Sequence, residues 1–184
     1  FVEGCSIMGT DDNLCLQASS RNYPVEDVHV SNCSFTSLCA GIRIGLKSIG
    51  DIRNVTICNC TMNRVWREGI KIECTEGGSI SNIVIQNVAM WDVSRPVFLI
   101  LNNRFQPENY GTSVELKEIP EIGTMGHILI QNVTAYDSEE MRRIHRRFGK
   151  DVMGEPRFNG IRMDAEENHP MGPVTLSNFS YHTY

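Results

Sequence analysis

Hydrophobic and polar residues alternate along this chain in short runs that recur at a set interval. The segments "VHVSNCSF" (28–35), "VTICNCTM" (55–62), "IVIQNVAM" (83–90), "ILIQNVTA" (128–135) and "VTLSNFSY" (174–181) are one pattern written five times, and "FVEGCSI" at the start is a sixth, with Gly4 in place of the Asn. Counted from Gly4, the positions Asn32, Asn59, Asn87, Asn132 and Asn178 follow at intervals of 28, 27, 28, 45 and 46 residues. Three regular repeats are therefore followed by two that carry insertions, near 102–123 and 137–157. A second alternating run completes each unit, as in "GIRIG" (41–45), "GIKIE" (69–73), "VFLIL" (97–101) and "GIRMD" (160–164). Alternation with period two in segments rich in Val, Ile and Thr predicts β-strands.

Strands that return every 27 or 28 residues, with no helix-length segment in the regular repeats, predict an all-β fold in which each repeat stacks on the next. The expected architecture is a right-handed parallel β-helix of about six coils with two inserted loops, forming one domain over residues 1–184. Because the chain opens at Phe1 already inside a repeat, it is expected to be the C-terminal part of a longer β-helix. The recurring Asn is expected at an inward bend, its amide bonded to the next Asn and to the turn backbone. A leucine-rich solenoid would require a leucine consensus and a shorter period, and neither is present.

With 41% hydrophobic and 21% charged residues, the chain has the material for one core. Its net charge of −5 argues against nucleic acid as a main partner, since a phosphate-tracking surface carries a basic excess. No apolar run approaches the roughly 20 residues of a membrane-spanning helix, so no membrane partner is expected. Cys5, Cys33 and Cys60 fall in register in successive repeats and are expected to stack as small apolar side chains rather than pair as disulfides. No CxxC pair with a second ligand pair suggests zinc. Four of the five glycosylation-type sequons, at Asn32, Asn54, Asn59, Asn132 and Asn178, coincide with the ladder Asn and are read as structural.

Aligning the repeats makes "DDNLCLQ" (11–17) the second strand of the first unit. Leu14 and Leu16 then point inward, as do Ile42 and Ile44 or Ile70 and Ile72, while Cys15, Arg43 and Lys71 form one outward column and Gln17, Gly45 and Glu73 the next. Asp11 and Asp12 stack on Cys39 and Ala40, and these on Arg67 and Glu68. One outer face thus carries a carboxylate pair beside basic groups. Rows of side chains about 4.8 Å apart suit an extended polymer lying across them. Paired carboxylates supply the acid and base that break a glycosidic bond, and flanking cations receive an acidic sugar. The plainer function of Asp11 and Asp12 is to cap a turn, which Asp does routinely.

"GCSIMGTDDNLCLQASS", followed by "VHVSNCSFTSLCAGIRIGLKSIGDIRNVTICNCTMNRVWREGIKIE", resembles the core of the polygalacturonase-like glycoside hydrolases of family 28, over residues 1 to 101. That family pattern has an Asn-Cys turn, a Gly-Asp-Asp motif opening a strand, a Gly-His-Gly segment one coil on and a Gly-Ile-Arg-Ile-Lys strand one coil further. The resemblance implies inverting hydrolysis of a pectin-type polysaccharide or oligosaccharide, without metal or cofactor, and an extracellular or periplasmic setting. It gives Asp11 the role of acid and makes Asp12 one of two carboxylates that activate water, the other lying one coil earlier, ahead of Phe1. The family His falls on Ala40, and the Arg and Lys of its last strand fall on Lys71 and Glu73. These departures imply a relative acting on rhamnogalacturonan, a side-chain-bearing pectin or terminal residues. Arg43 and Arg67 can replace the missing cations, Glu73 implies a neutral sugar in its subsite, and Trp66 is the aromatic best placed to stack on a ring.

The first insertion (102–123) is polar, contains Pro107 and Pro120, and predicts a long loop. In the second, Met141, Ile144 and Phe148 recur at helical spacing among four arginines, with Ser138 as a cap, predicting an amphipathic helix that covers the strands. Two other functions use the same residues. A polysaccharide lyase would hold Ca²⁺ on Asp11 and Asp12 with Arg43 as base, and a non-catalytic β-helix would bind glycans without using the aspartates.

Overall fold

The computed structural model describes residues 1–93, 95–104, 122–140 and 160–183. Over these the chain is all-β, and its strands pair in parallel in two sheets. One sheet holds β1 (Val2–Glu3), β2 (Ser6–Gly9), β4 (Val25–Ser31), β5 (Ser34–Ser37), β7 (Ile52–Val65), β9 (Ser79–Trp91), β11 (Thr124–Asp137) and β13 (Val174–Thr183). The other holds β3 (Leu14–Ala18), β6 (Ile42–Ser48), β8 (Glu68–Cys74), β10 (Arg95–Leu101) and β12 (Ile161–Ala165), in the order β12-β10-β8-β6-β3. Along the sequence the chain passes from one sheet to the other and back, so each strand pairs with its equivalent one repeat on. Val30, Ile57, Ile85 and Ile130 stand in one row, and Leu14, Ile42, Ile70, Val97 and Ile161 in another.

The long strands β7, β9 and β11 stay in one sheet while changing direction, and single left-handed residues do the turning. Asn32, Asn59, Asn87, Asn132 and Asn178 have φ between 47° and 55°, and Gly4 has φ 64°. A second set lies five positions earlier, at Asp27, Asn54, Asn82 and His127 (φ 53° to 57°), and a third five later, at Arg64 and Asp92 (φ 56° and 57°). At each corner two successive side chains point outward, and alternation then resumes. In β7, Val55 and Ile57 are buried, Cys58 and Asn59 turn out, and Cys60 and Met62 are buried again. Asn is favoured there because a short polar side chain tolerates the left-handed region, which costs other residues about 1–2 kcal/mol.

The Asn side chains correct one expectation, for they lie on the outside of each bend and are exposed. There they form a ladder: Asn87 donates to Asn59 at 3.0 Å, Asn132 to Asn87 at 3.0 Å and Asn178 to Asn132 at 2.8 Å. Asn54 to Asp27 (3.0 Å) and Asn82 to Asn54 (3.3 Å) make a second ladder. Each repeat also holds three alternating runs rather than two, because the short run after the Asn is a separate inward-facing segment between two corners.

Side chains of both sheets meet in a single apolar cluster, with Ile42, Ile44, Ile57, Ile70, Ile72, Ile80 and Ile85 entirely buried. Burying each stabilises by about 1.5–3 kcal/mol, and β-branched side chains suit the pleat. All seven cysteines are free thiols. Cys33 and Cys60 are buried in the expected stack, and each donates to the carbonyl two residues back, Ser31 and Cys58, at 3.2 Å. Cys5 continues the column but is exposed.

Of the first insertion only 102–104 and 122–123 belong to the described residues. The helix expected from Ser138 has Glu139 and Glu140 in helical backbone, and Met141, Ile144 and Phe148 lie outside the described residues. The corner ladder generates a test. Replacing Asn87 by Ala removes two ladder bonds and leaves in the left-handed region a residue without the short polar side chain that makes Asn tolerant of it, lowering stability by about 2 kcal/mol in urea unfolding, whereas Gly adopts that conformation freely and Asn87→Gly costs about half of that. Equal midpoints for the two variants would show that conformation is not what the Asn contributes.

Candidate active site

The backbone just before β3 is fixed to the next repeat, and this positions the aspartates. The amides of Asn13 and Leu14 donate to Ala40 and Gly41 at 3.1 Å, and the Ser37 hydroxyl donates to the Asp11 carbonyl at 2.7 Å. The Asp12 amide donates to the Asp11 carboxylate at 2.8 Å, and the Asp11 side chain is exposed. Asp12 faces the sheet. Its Oδ1 accepts the Ala40 amide at 3.0 Å and its Oδ2 accepts Arg43 Nη1 at 2.7 Å.

From Asp12 a line of ion pairs crosses three strands. Arg43 on β6 gives Nε and Nη2 to Glu73 Oε2 on β8, at 2.8 and 2.6 Å. Lys71 Nζ lies 3.3 Å from Glu73 Oε1 and 3.8 Å from Glu68 Oε2. Glu68 also pairs with Arg95 on β10 at 3.2 Å and approaches Arg67 at 3.6 Å. Glu68, Glu73 and Lys71 are buried at 2, 1 and 5% exposure. The sequence-derived column Cys15, Arg43, Lys71 is an actual row, and it continues through Phe98 and Arg162. Gly45 aligns with Glu73, and a Cβ at 45 would fall 1.9 Å from the Glu73 carbonyl oxygen, which excludes a side chain there. Gln17 does not join that row, because the register shifts between Leu16 and Ala18 where β6 carries two extra residues.

These contacts redefine several roles. Arg43 is clamped between two carboxylates, with 12% of its side chain exposed. Glu73 is neutralised by Arg43 and Lys71, so it cannot act as the open anion that would repel an acidic sugar. Trp66 is half-buried, and its amide donates to Ser37 at 3.0 Å, which holds it at the edge of the same face. Arg67 joins the line through Glu68. Sequence reasoning missed Glu68 and Arg95 as members. Their signal was available as opposite charges at matched positions, Glu68 and Arg95 being register partners.

Burial pushes the Asp12 carboxyl up, but hydrogen bonds from Arg43 and Cys39, the Arg43 charge and the Ala40 amide outweigh it and hold Asp12 below its ordinary value. Burial and the Asp12 contact push the Cys39 thiol up to about 11. Asp11, Asp12 and Cys39 each bring a donor atom to within 4.8 Å of the others, close enough to ligate one cation. The donor set suits Ca²⁺ poorly, because that ion takes six to eight oxygens whereas one donor is a protonated thiol and Asp12 is held by Arg43. No family model matches the chain, and no curated protein matches it.

Removing Arg43 leaves two nearly dry carboxylates facing each other, so Arg43→Ala will destabilise by about 3 kcal/mol in urea unfolding; a loss under about 1 kcal/mol would mean the clamp is unimportant. The lowered value of Asp12 also fixes a sign. Its contribution is complete above the ordinary 3.8 and is lost as acid protonates the folded group. Thermal midpoints taken between about pH 2 and 7 will fall on the acid side, and Asp12→Asn will flatten part of that fall. Superimposable acid limbs would contradict the assignment.

Proposed function

We propose that this chain folds as a right-handed parallel β-helix and acts as a glycoside hydrolase on a pectin-type polysaccharide or oligosaccharide, with Asp11 and Asp12 at the reacting bond. The regular passage between two parallel sheets, and pairing only with neighbouring repeats, supports the β-helix. The observation that carries the chemical reading is the unequal environment of two adjacent carboxylates. Asp12 is held ionised by Arg43 and the Ala40 amide, and Asp11 stands exposed beside it. A carboxylate held charged and aimed can serve as the base, and an adjacent one open at the surface is placed to reach the leaving oxygen.

In this reading Asp11 gives its proton to the leaving oxygen and Asp12 receives one from the attacking water. The clamp from Arg43 keeps Asp12 charged and aimed while the bond breaks. Oxygens of the two carboxyls come within 4.8 Å, closer than the roughly 6.5–9.5 Å usual for inversion. Inversion then needs the water beside Asp12 rather than between the pair. That spacing also favours a second outcome, retention through an Asp12 ester, and the anomer formed first distinguishes them. A lyase mechanism is less well supported, because an arginine paired with two carboxylates is held firmly protonated and makes a poor base.

The test incubates the protein with polygalacturonate and rhamnogalacturonan and follows reducing ends, ultraviolet absorbance and the anomeric proton together. New reducing ends without absorbance, lowered at least about 100-fold by Asp11→Asn, are expected. Absorbance would assign an eliminating enzyme. Hydrolysis unchanged by Asp11→Asn would remove Asp11 from the chemistry.

A further inference from the structure

The outward turn of the corner side chains reopens the five glycosylation-type sequons at Asn32, Asn54, Asn59, Asn132 and Asn178. All five Asn are exposed, so exposure does not separate them, and hydrogen bonding does. The Asn32 nitrogen donates to Glu3 at 3.2 Å, Asn54 to Asp27 at 3.0 Å, Asn132 to Asn87 at 3.0 Å and Asn178 to Asn132 at 2.8 Å. Asn59 is the end rung of its ladder. Its oxygen accepts from Asn87 at 3.0 Å, whereas its nitrogen donates to no acceptor among the described residues.

The second half of the acceptor signal is the hydroxyl two residues on, and it sorts the five in the same way. Ser34 donates to Ser6 at 3.0 Å and Ser180 to Thr134 at 3.3 Å, which engages the hydroxyls that belong to Asn32, Asn132 and Asn178. Thr56, which serves Asn54, is half-buried. Thr61, which serves Asn59, is exposed, and its hydroxyl makes no hydrogen bond among the described residues. It stands in its row between Ser34 and the small Ala89. Cys60 is buried in the core, so Asn59 and Thr61 both project from the outer side of the strand.

We propose that Asn59 is an attachment site for an N-linked glycan, the one of the five sequons whose acceptor groups this fold leaves open. The donor is an oligosaccharide carried on a lipid diphosphate. Asn59 Nδ2 bonds to the first sugar carbon, the bond from that carbon to the diphosphate breaks, the lipid diphosphate leaves with its electron pair, and Nδ2 gives up one proton. At the other four positions Nδ2 already has an acceptor within 2.8–3.2 Å, so a sugar there crowds out that bond. At Asn59 the sugar displaces nothing, and the oxygen keeps its rung to Asn87. A glycan added before folding meets the same constraint, because a chain modified at Asn132 or Asn178 forfeits a rung when it folds. Asn59 lies on β7 in the eight-stranded sheet, whereas Asp11 and Asp12 precede β3 of the five-stranded one, so the attachment stands whether or not the aspartates cleave a bond.

The test sends the chain through the secretory route of a eukaryotic host and releases N-glycans with an amidase in heavy-oxygen water. Each occupied Asn becomes a labelled Asp, which peptide mass spectrometry reads. Label at Asn59, several-fold above that at any of the other four sequons, is expected. Thr61→Ala removes the signal while leaving the corner Asn in place, and it will abolish that label; Ser180→Ala, which removes the signal at Asn178, will leave it unchanged. Thermal midpoints of the glycosylated protein and of Thr61→Ala will agree, since no rung is lost. No label at Asn59, equal label at Asn32, Asn54, Asn132 or Asn178, or a lower midpoint for the glycosylated protein would each overturn the proposal.

Discussion

A single left-handed residue at each corner is the constraint on which this structure depends. A strand that merely continued would carry its apolar face away from the core, and a longer turn would break the pairing with the next repeat. One residue near φ +55° solves both problems, because it sends two successive side chains outward and returns the following one to the interior. Ladders of Asn amides then tie Asn59, Asn87, Asn132 and Asn178 together in one column of corners, and Asp27, Asn54 and Asn82 in another. Since the corners stand in register, every position in the strands between them stands over its equivalent, and a choice made at one residue is repeated along the fold.

In the core that repetition is favourable, since Ile above Ile fills the pleat. On the outer face it is dangerous, because equal charges directly opposite each other in neighbouring strands repel. Arg43 and Lys71 do stand opposite each other, and the five-stranded sheet offsets their repulsion with an adjacent row of opposite sign. Arg43, Lys71 and Arg162 stand in one row, Glu73 and Asp164 in the next, so Glu73 pairs with both of the cations that face each other. Where Lys71 and Arg162 would come closest, Phe98 is interposed and takes both on its ring. The polar line and the cations gathered on Phe98 are therefore consequences of one stacking rule applied to charged residues.

That rule also explains how much was legible in the sequence. The interval between Gly4, Asn32, Asn59 and Asn87 contains the register, so the inward Leu14, Ile42 and Ile70 and the outward Arg43 and Lys71 could be placed without coordinates. The direction of the Asn side chain could not, because an Asn bonded to its neighbours satisfies the same pattern inside or outside a bend. The second set of corners was concealed by its variety: Asp27, Asn54, Asn82 and His127 share a conformation but not a residue type. Pairing between rows was hidden for a different reason. Alignment shows what lies above a residue, whereas Arg43 meets Asp12 and Glu73 diagonally, through side-chain length and rotamer.

The dryness of the charged line bears on what it is for. Buried ion pairs seldom stabilise more than apolar side chains of similar volume would, because each charge loses its hydration first. The opposite face of the same strands is apolar and mostly Ile, Val and Leu, as at Leu14, Ile42, Ile44, Ile70, Ile72, Val97 and Leu99, so an aliphatic solution was accessible to this sheet. Glu68 and Glu73, at 2 and 1% exposure, instead hold Arg43, Lys71 and Arg95 in set positions. An arrangement that does little for stability but fixes cations beside an exposed carboxylate at one end, and around an aromatic ring at the other, is explained by what those groups face. Hydration is already displaced and the geometry already chosen, so a ligand arriving at this surface meets charges that need not reorganise.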